Sequence, residues 1–223
     1  MRFPRATHLF DQWAHQWRQT PGRSRMIVVR YADDFVCGFA READAQEFHA
    51  DLKARMEAYK LSLHPEKTRL IEFGRSATES RAKRGLGKPE TFTFLGFVHI
   101  CGRSRKGKFL LVRKSRIDRL RNKLREVKEE LRNKINANIP EQGRWLGQVV
   151  RGYFAYHAVP SNIQALRAFR YHVTCAWLWL LNRRSQRTRW TWEKMERLAG
   201  RWLPMPRILH PWPNARFAVT HPR

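Results

Sequence analysis

Residues 26 to 39 constrain the fold more than any other stretch. Met26-Ile27-Val28-Val29-Arg30-Tyr31 is strand-like, β-branched and nearly continuous, and Phe35-Val36-Cys37-Gly38-Phe39 is a second such run. Only Ala32-Asp33-Asp34 separates them, so the two runs must pair as an antiparallel hairpin. The unbroken apolar character of the first run predicts a strand buried on both faces. Two adjacent carboxylates at the tip of such a hairpin repel each other. Within a regular strand they would point to opposite faces, but at a turn both can reach one cation. Mg²⁺ takes oxygen ligands and keeps positions open for phosphate, and two-metal phosphoryl transfer uses such carboxylates as a clamp. A solvated Asp-Asp turn is the plainer alternative. On the dipeptide by itself it is the stronger one, because Asp favours turns.

The neighbouring segments fit an α+β chain. Phe10, Trp13 and Trp17 recur at helical spacing, predicting a helix over residues 3–18, and Thr20 to Ser24 is a turn. Phe48, Leu52 and Met56 mark one face of a helix over 41–59, which Pro65 prevents from continuing. Residues 68–73 read as a strand and 75–90 as a loop, with Gly85 and Gly87 as flexible points. Residues 92–100 and 108–112 read as a second hairpin around Gly102 to Gly107.

The composition shifts near Arg113. Ile117, Leu120, Leu124, Val127, Leu131 and Ile135 fall at steps of three and four, predicting an amphipathic helix over 115–135 that Ser115 and Asp118 cap. A break at Ile139-Pro140 precedes predicted helices over 143–157 and 162–183 and a short one after Trp190. The tail, with Pro204, Pro206, Pro211, Pro213 and Pro222, is irregular. The expected domains are 1–112, α+β, and 113–223, all-helical.

Charge narrows the partners. The 223 residues hold 45 Lys plus Arg against 19 Asp plus Glu, a formal charge of +26. With 42% hydrophobic and 12% aromatic residues the chain can bury a core, which excludes a disordered basic tail. A compact body so charged needs a polyanion, and its Arg excess suits phosphate and base edges. From Gln142 onward only Glu193 and Glu196 oppose the bases, and most of the tryptophans lie after Arg144. No apolar run approaches the roughly 20 residues of a spanning helix, so no membrane partner is expected. Cys37, Cys101 and Cys175 are far apart and odd in number, a reduced, cytoplasmic pattern with no disulfide framework. The histidines form no i, i+4 zinc pair. Trp177 and Trp179 read as helix-packing residues.

Tyr31-Ala32-Asp33-Asp34 between strands resembles the catalytic motif of reverse transcriptases. Leu63-His64-Pro65-Glu66-Lys67-Thr68 resembles that family's Lys-bearing segment, and Phe94-Leu95-Gly96-Phe97 its primer-gripping hairpin. Val150 to Tyr156 and Arg207 to Pro213 resemble the thumb and maturase region of group II intron reverse transcriptases, which also help their intron RNA to splice. The motifs run in order over nearly the whole chain. The segment Arg151 to Tyr156 and the ending Arg207 to Pro213 separate it from retron-type and defence-linked enzymes that share the Asp turn.

The resemblance implies a partial palm over 1–112 followed by a helical thumb and maturase domain over 113–223. It implies Mg²⁺ at Asp33, with Asp34 assisting, and a mobile-element enzyme that adds dNTPs to a primer on an RNA template. Tyr31, Lys67, Phe94, Leu95 and Gly96 would meet nucleotide and primer, with an ordinary surface lysine the alternative for Lys67. Arg116, Arg119, Lys123, Arg151, Arg183 and Arg184 would contact intron RNA or an RNA/DNA duplex, although each singly could be solvated surface. An upstream palm strand with a further metal-binding Asp, and the fingers, are expected to be missing from this chain. The chain by itself is then expected not to polymerise. The alternatives are a non-catalytic intron-RNA-binding maturase fragment and an inactive gene remnant. A homodimer stays open.

Overall fold

The computed structural model describes residues 4–184 and 189–212. Residue 3 of the helix expected over 3–18, and Pro213 and Pro222 of the tail, lie outside them. The chain is mixed α and β, with two small antiparallel sheets and seven helices among the described residues. It divides into two compact units between Glu90 and Thr91. The second sheet belongs with the later helices, so this division lies upstream of the composition shift near 113.

In the first unit, α1 (Pro4–Gln19) precedes β1 (Met26–Tyr31) and β2 (Asp34–Phe39), which pair antiparallel from Met26 opposite Phe39 to Tyr31 opposite Asp34. Then come α2 (Glu42–Ala58) and the short α3 (Ala77–Lys83). Phe10, Ala14 and Trp17 on α1, Met26 on β1, and Phe48 and Leu52 on α2 form the core, with Trp13, Phe35, Cys37 and Phe39 against it. Trp17 meets Phe48 edge-on at 5.0 Å, and Trp13 stacks on it at 4.9 Å. Glu42 and Asp44 in the first turn of α2 complement its dipole. The Asp44 carboxylate accepts from the Ser24 amide and is paired with Arg41, tying the entry of β1 to α2.

In the second unit, β3 (Phe92–Phe94), β4 (Phe97–Arg103) and β5 (Phe109–Ser115) form an antiparallel sheet in that order. Four helices follow: α4 (Ile117–Asn133), α5 (Ile139–His157), α6 (Ile163–Arg184) and α7 (Trp192–Trp202). Leu131, Leu146, Val150, Leu166, Phe169, Val173, Trp177 and Met195 form an almost water-free core among them. The side chain of Gln142 is fully buried in it. Gln142 accepts from Trp177 Nε1 at 2.8 Å and donates to the carbonyls of Lys134 and Ala137. A buried amide so satisfied fixes the register of α5 against α6 and the α4–α5 turn.

Six local expectations are corrected. β1 is buried on one face only: Ile27, Val29 and Tyr31 are 60%, 49% and 66% exposed, because α1 and α2 cover the opposite side. Residues 68–73 are no strand, since no described strand pairs with them, and 75–90 is no plain loop, because α3 forms there. Residues 92–100 are two strands, folded back at Leu95-Gly96. Ser115 does not cap α4 but ends β5, and Arg116 holds the cap position with no side-chain bond to the helix's free amides. α5 starts at Ile139, not Gly143. Asn138 accepts the Glu141 amide at 2.9 Å, and Pro140 suits a first turn that needs no amide donor.

Candidate functional site

The turn between β1 and β2 has only two residues, Ala32 and Asp33, with Tyr31 and Asp34 as its closing pair. Ala32 sits at φ 50°, the left-handed region that a side chain resists. Such strain persists only where surroundings enforce it. Arg30 does so. Its Nη1 donates to the Ala32 carbonyl at 3.1 Å, and its Nε and Nη2 grip both oxygens of Asp11 on α1 at 2.9 and 2.5 Å. The Asp11 carboxylate, with Asp33 contributing at longer range, raises the Arg30 pKa above its ordinary value. Arg30 therefore pins the turn and stays charged beside it.

Asp33 and Asp34 are both exposed. Asp34 shares the outer sheet face with its cross-strand partner Tyr31, while Asp33 occupies the turn. Their oxygens are hard donors open to solvent, a chemistry that fits Mg²⁺ and leaves positions for water or phosphate. The donor number is small. Among the described residues no three His, Cys, Asp or Glu side chains cluster as a metal site. Lys67 is exposed in the turn at 65–67, with its backbone amide on the His64 carbonyl, and makes no ion pair among the described residues.

The second unit holds the other motif residues. Leu95 and Gly96 both take left-handed φ, 48° and 75°, which a two-residue hairpin turn of this hand requires. Phe94 is half-buried at the end of β3. The turn is tied down by Tyr156, whose hydroxyl donates to the Leu95 carbonyl at 2.7 Å, and by the Arg116 amide on the Gly96 carbonyl. A Cβ on Gly96 would meet the Arg119 side chain at 3.5 Å. Below the turn, Ser115 bonds His157 Nδ1 at 2.8 Å and accepts from Asn162 at 2.7 Å. Burial, then the charge of Arg119, pushes His157 down to about 4. These buried groups join sheet to helices and do not face an open site.

The bases proposed for RNA differ in availability. Arg116 is paired with Asp118, and Lys123 with Glu126. Arg184 donates to the Ala137 carbonyl. Arg119 and Arg151 are exposed and make no ion pair among the described residues. Arg183 lies over the ring of Trp179 at 5.2 Å. Trp177 is core, as expected, whereas Trp179 is 47% exposed, because residues 177 and 179 cannot share one helix face. Sequence reasoning missed Arg30 and Asp11. The sole signal was an arginine inside an otherwise apolar strand.

The family model of reverse transcriptase (RNA-dependent DNA polymerase) matches residues 6–99. That stretch is similar to the family and contains the Asp turn, Lys67 and the Leu95-Gly96 turn. The helices from Ile117 onward lie beyond it. No curated protein matches the chain. Among the described residues no helix is long and apolar enough to cross a membrane.

Proposed function

We propose that the chain supplies the catalytic hairpin and thumb of a group II intron-encoded RNA-directed DNA polymerase, with residues 1–112 as part of its palm. On this reading residues 113–223 form the thumb and maturase domain, which binds the intron RNA and helps it splice. The observation that carries the reading is the pair of exposed aspartates at a pinned two-residue turn, inside the stretch similar to reverse transcriptases. Asp33 and Asp34 would hold Mg²⁺, which when bound neutralises charge on phosphoryl oxygens. Arg30 holds the turn in its strained form. Two carboxylates from one hairpin are too few for a two-metal clamp, so a further carboxylate must come from elsewhere in the assembled polymerase.

Primer extension on an RNA template tests this. The chain joined to a polypeptide carrying the remaining palm and fingers is expected to extend a primer, and Asp33→Ala to abolish extension. Extension by the chain by itself, lost in Asp33→Ala, would overturn the need for a further carboxylate.

The second reading is a binding module that uses no Asp33 chemistry. The core of the helical unit favours it, being complete without the first unit. Intron RNA binding and splicing assistance unchanged by Asp33→Ala, with no extension by the joined protein, would select it.

A further inference from the structure

A groove of about 160 Å³ runs between α6 and α7 in the second unit. Arg167, Arg170, Tyr171 and Thr174 enter it from α6 at spacings of three and four, so they form one stripe. Trp192 and Glu196 face them from α7, four residues apart. Buried Thr174 makes part of the floor. The rings of Tyr171 and Trp192 are 5.5 Å apart, and the two residues remain 54% and 38% exposed. Arg167 is exposed and makes no ion pair among the described residues. The Nε of Arg170 is buried and has no hydrogen-bond partner.

We infer that this groove is a stacking site for one unpaired RNA base, with Tyr171 and Trp192 offering ring faces and Arg167 and Arg170 taking the flanking phosphates. The inference rests on the RNA-binding part of the reading above and names where an unpaired nucleotide is held. Three observations point to this occupant. Two large aromatic side chains left partly in water beside the exposed guanidinium of Arg167, with half-buried Arg170 next to Glu196, match the makeup of single-strand sites, where rings stack bases and basic side chains track the backbone. The groove is smaller than the roughly 300–1,000 Å³ of pockets for drug-sized ligands, so it suits one flat ring rather than a folded segment. The surroundings are acid-poor, with only Glu193 and Glu196 from Gln142 onward, which selects a polyanion over an acid-neutral peptide.

The test is fluorescence anisotropy of the full chain with two probes, a fluorescein-labelled single-stranded oligoadenylate and a labelled RNA duplex of the same length. Tyr171→Leu and Trp192→Leu are each expected to weaken single-strand binding about ten-fold, the order that loss of one stacked base gives. Duplex binding should not change, because bases within a duplex have no free faces. Tyr171→Phe and Trp192→Phe should keep the affinity. Arg167→Glu, a surface change that leaves folding intact, should weaken the single strand too, so the inference stays testable if a leucine variant fails to fold. Wild-type binding to both probes with no loss in the leucine and glutamate variants would overturn the stacking site and leave the RNA-binding reading standing. Equal loss on duplex and single strand would also overturn it, as would equal competition by a proline-rich peptide. A wild-type chain that retains neither probe overturns both.

Discussion

At the scale of single residues, two glycines in α5 carry opposite loads. A Cβ on Gly143 would lie 2.6 Å from the Trp202 ring, whereas one on Gly152 would meet nothing within 4 Å. Gly143→Ala is therefore expected to cost about 1–3 kcal/mol, because neither the ring nor α5 can retreat without opening the core. Gly152→Ala should be neutral or stabilise by up to about 1 kcal/mol through helix propensity. Urea unfolding of both variants checks the contrast, and equal midpoints would show that α7 does not press on α5 at Gly143. Asp44 gives a second expectation. Hydrogen bonds from Arg41 and Ser24 hold its carboxyl at about 2, below its ordinary 3.8. A lowered carboxylate contributes stability that is complete above pH 4 and is lost as pH falls through 4 toward 2. Asp44→Asn should remove that share of the acid-side loss in a pH series of unfolding midpoints.

At the scale of elements, the joint between β5 and α5 sets a further pH dependence. His157 is neutral and half-buried against Ser115 and Asn162, held down to about 4 from 6.5. Between those values the unfolded chain takes up a proton that the folded chain refuses. Stability is thus full above 6.5 and falls as pH drops toward 4. His157→Gln should flatten unfolding midpoints across that window, and an unchanged slope would mean that the ring is not what the joint excludes from charging. This joint was invisible in the sequence, because Ser115 and Asn162 are 47 positions apart and Ser115 imitates a helix cap. Elements that depend on their own residues were legible. The hairpin at 26–39, the stripe Phe48-Leu52-Met56 and the stripe Leu124-Val127-Leu131 all stand where periodicity put them. Elements that depend on partners were not. Residues 68–73 have strand composition without a pairing strand, and the outer face of β1 has core composition without a covering layer. The Asp33-Asp34 turn was legible because its residues are contiguous. The Tyr171–Trp192 groove was not, since packing of α6 on α7 makes it.

At the scale of the whole molecule, a charge of +26 does not spread as an even coat. On α4 and at its two cap positions the bases are interleaved with acids: Arg116 pairs with Asp118, Lys123 with Glu126 and Lys134 with Glu130. Surface pairs of this kind add little stability, but they reduce what those bases can offer a phosphate. Beyond Gln142 such acids are nearly absent, and Arg151 stands exposed on α5 without an ion pair among the described residues. Each base that neutralises an RNA phosphate releases counterions and adds roughly 0.7–0.9 to the slope of log affinity against log salt. If the helical unit carries the RNA, binding should weaken steeply from 50 mM to 200 mM salt. Arg151→Gln should lower the slope by about one, while Lys123→Gln should leave it nearly unchanged. The opposite order, with the slope falling for Lys123→Gln and not for Arg151→Gln, would place the RNA along α4 and break the link between unopposed charge and the binding face.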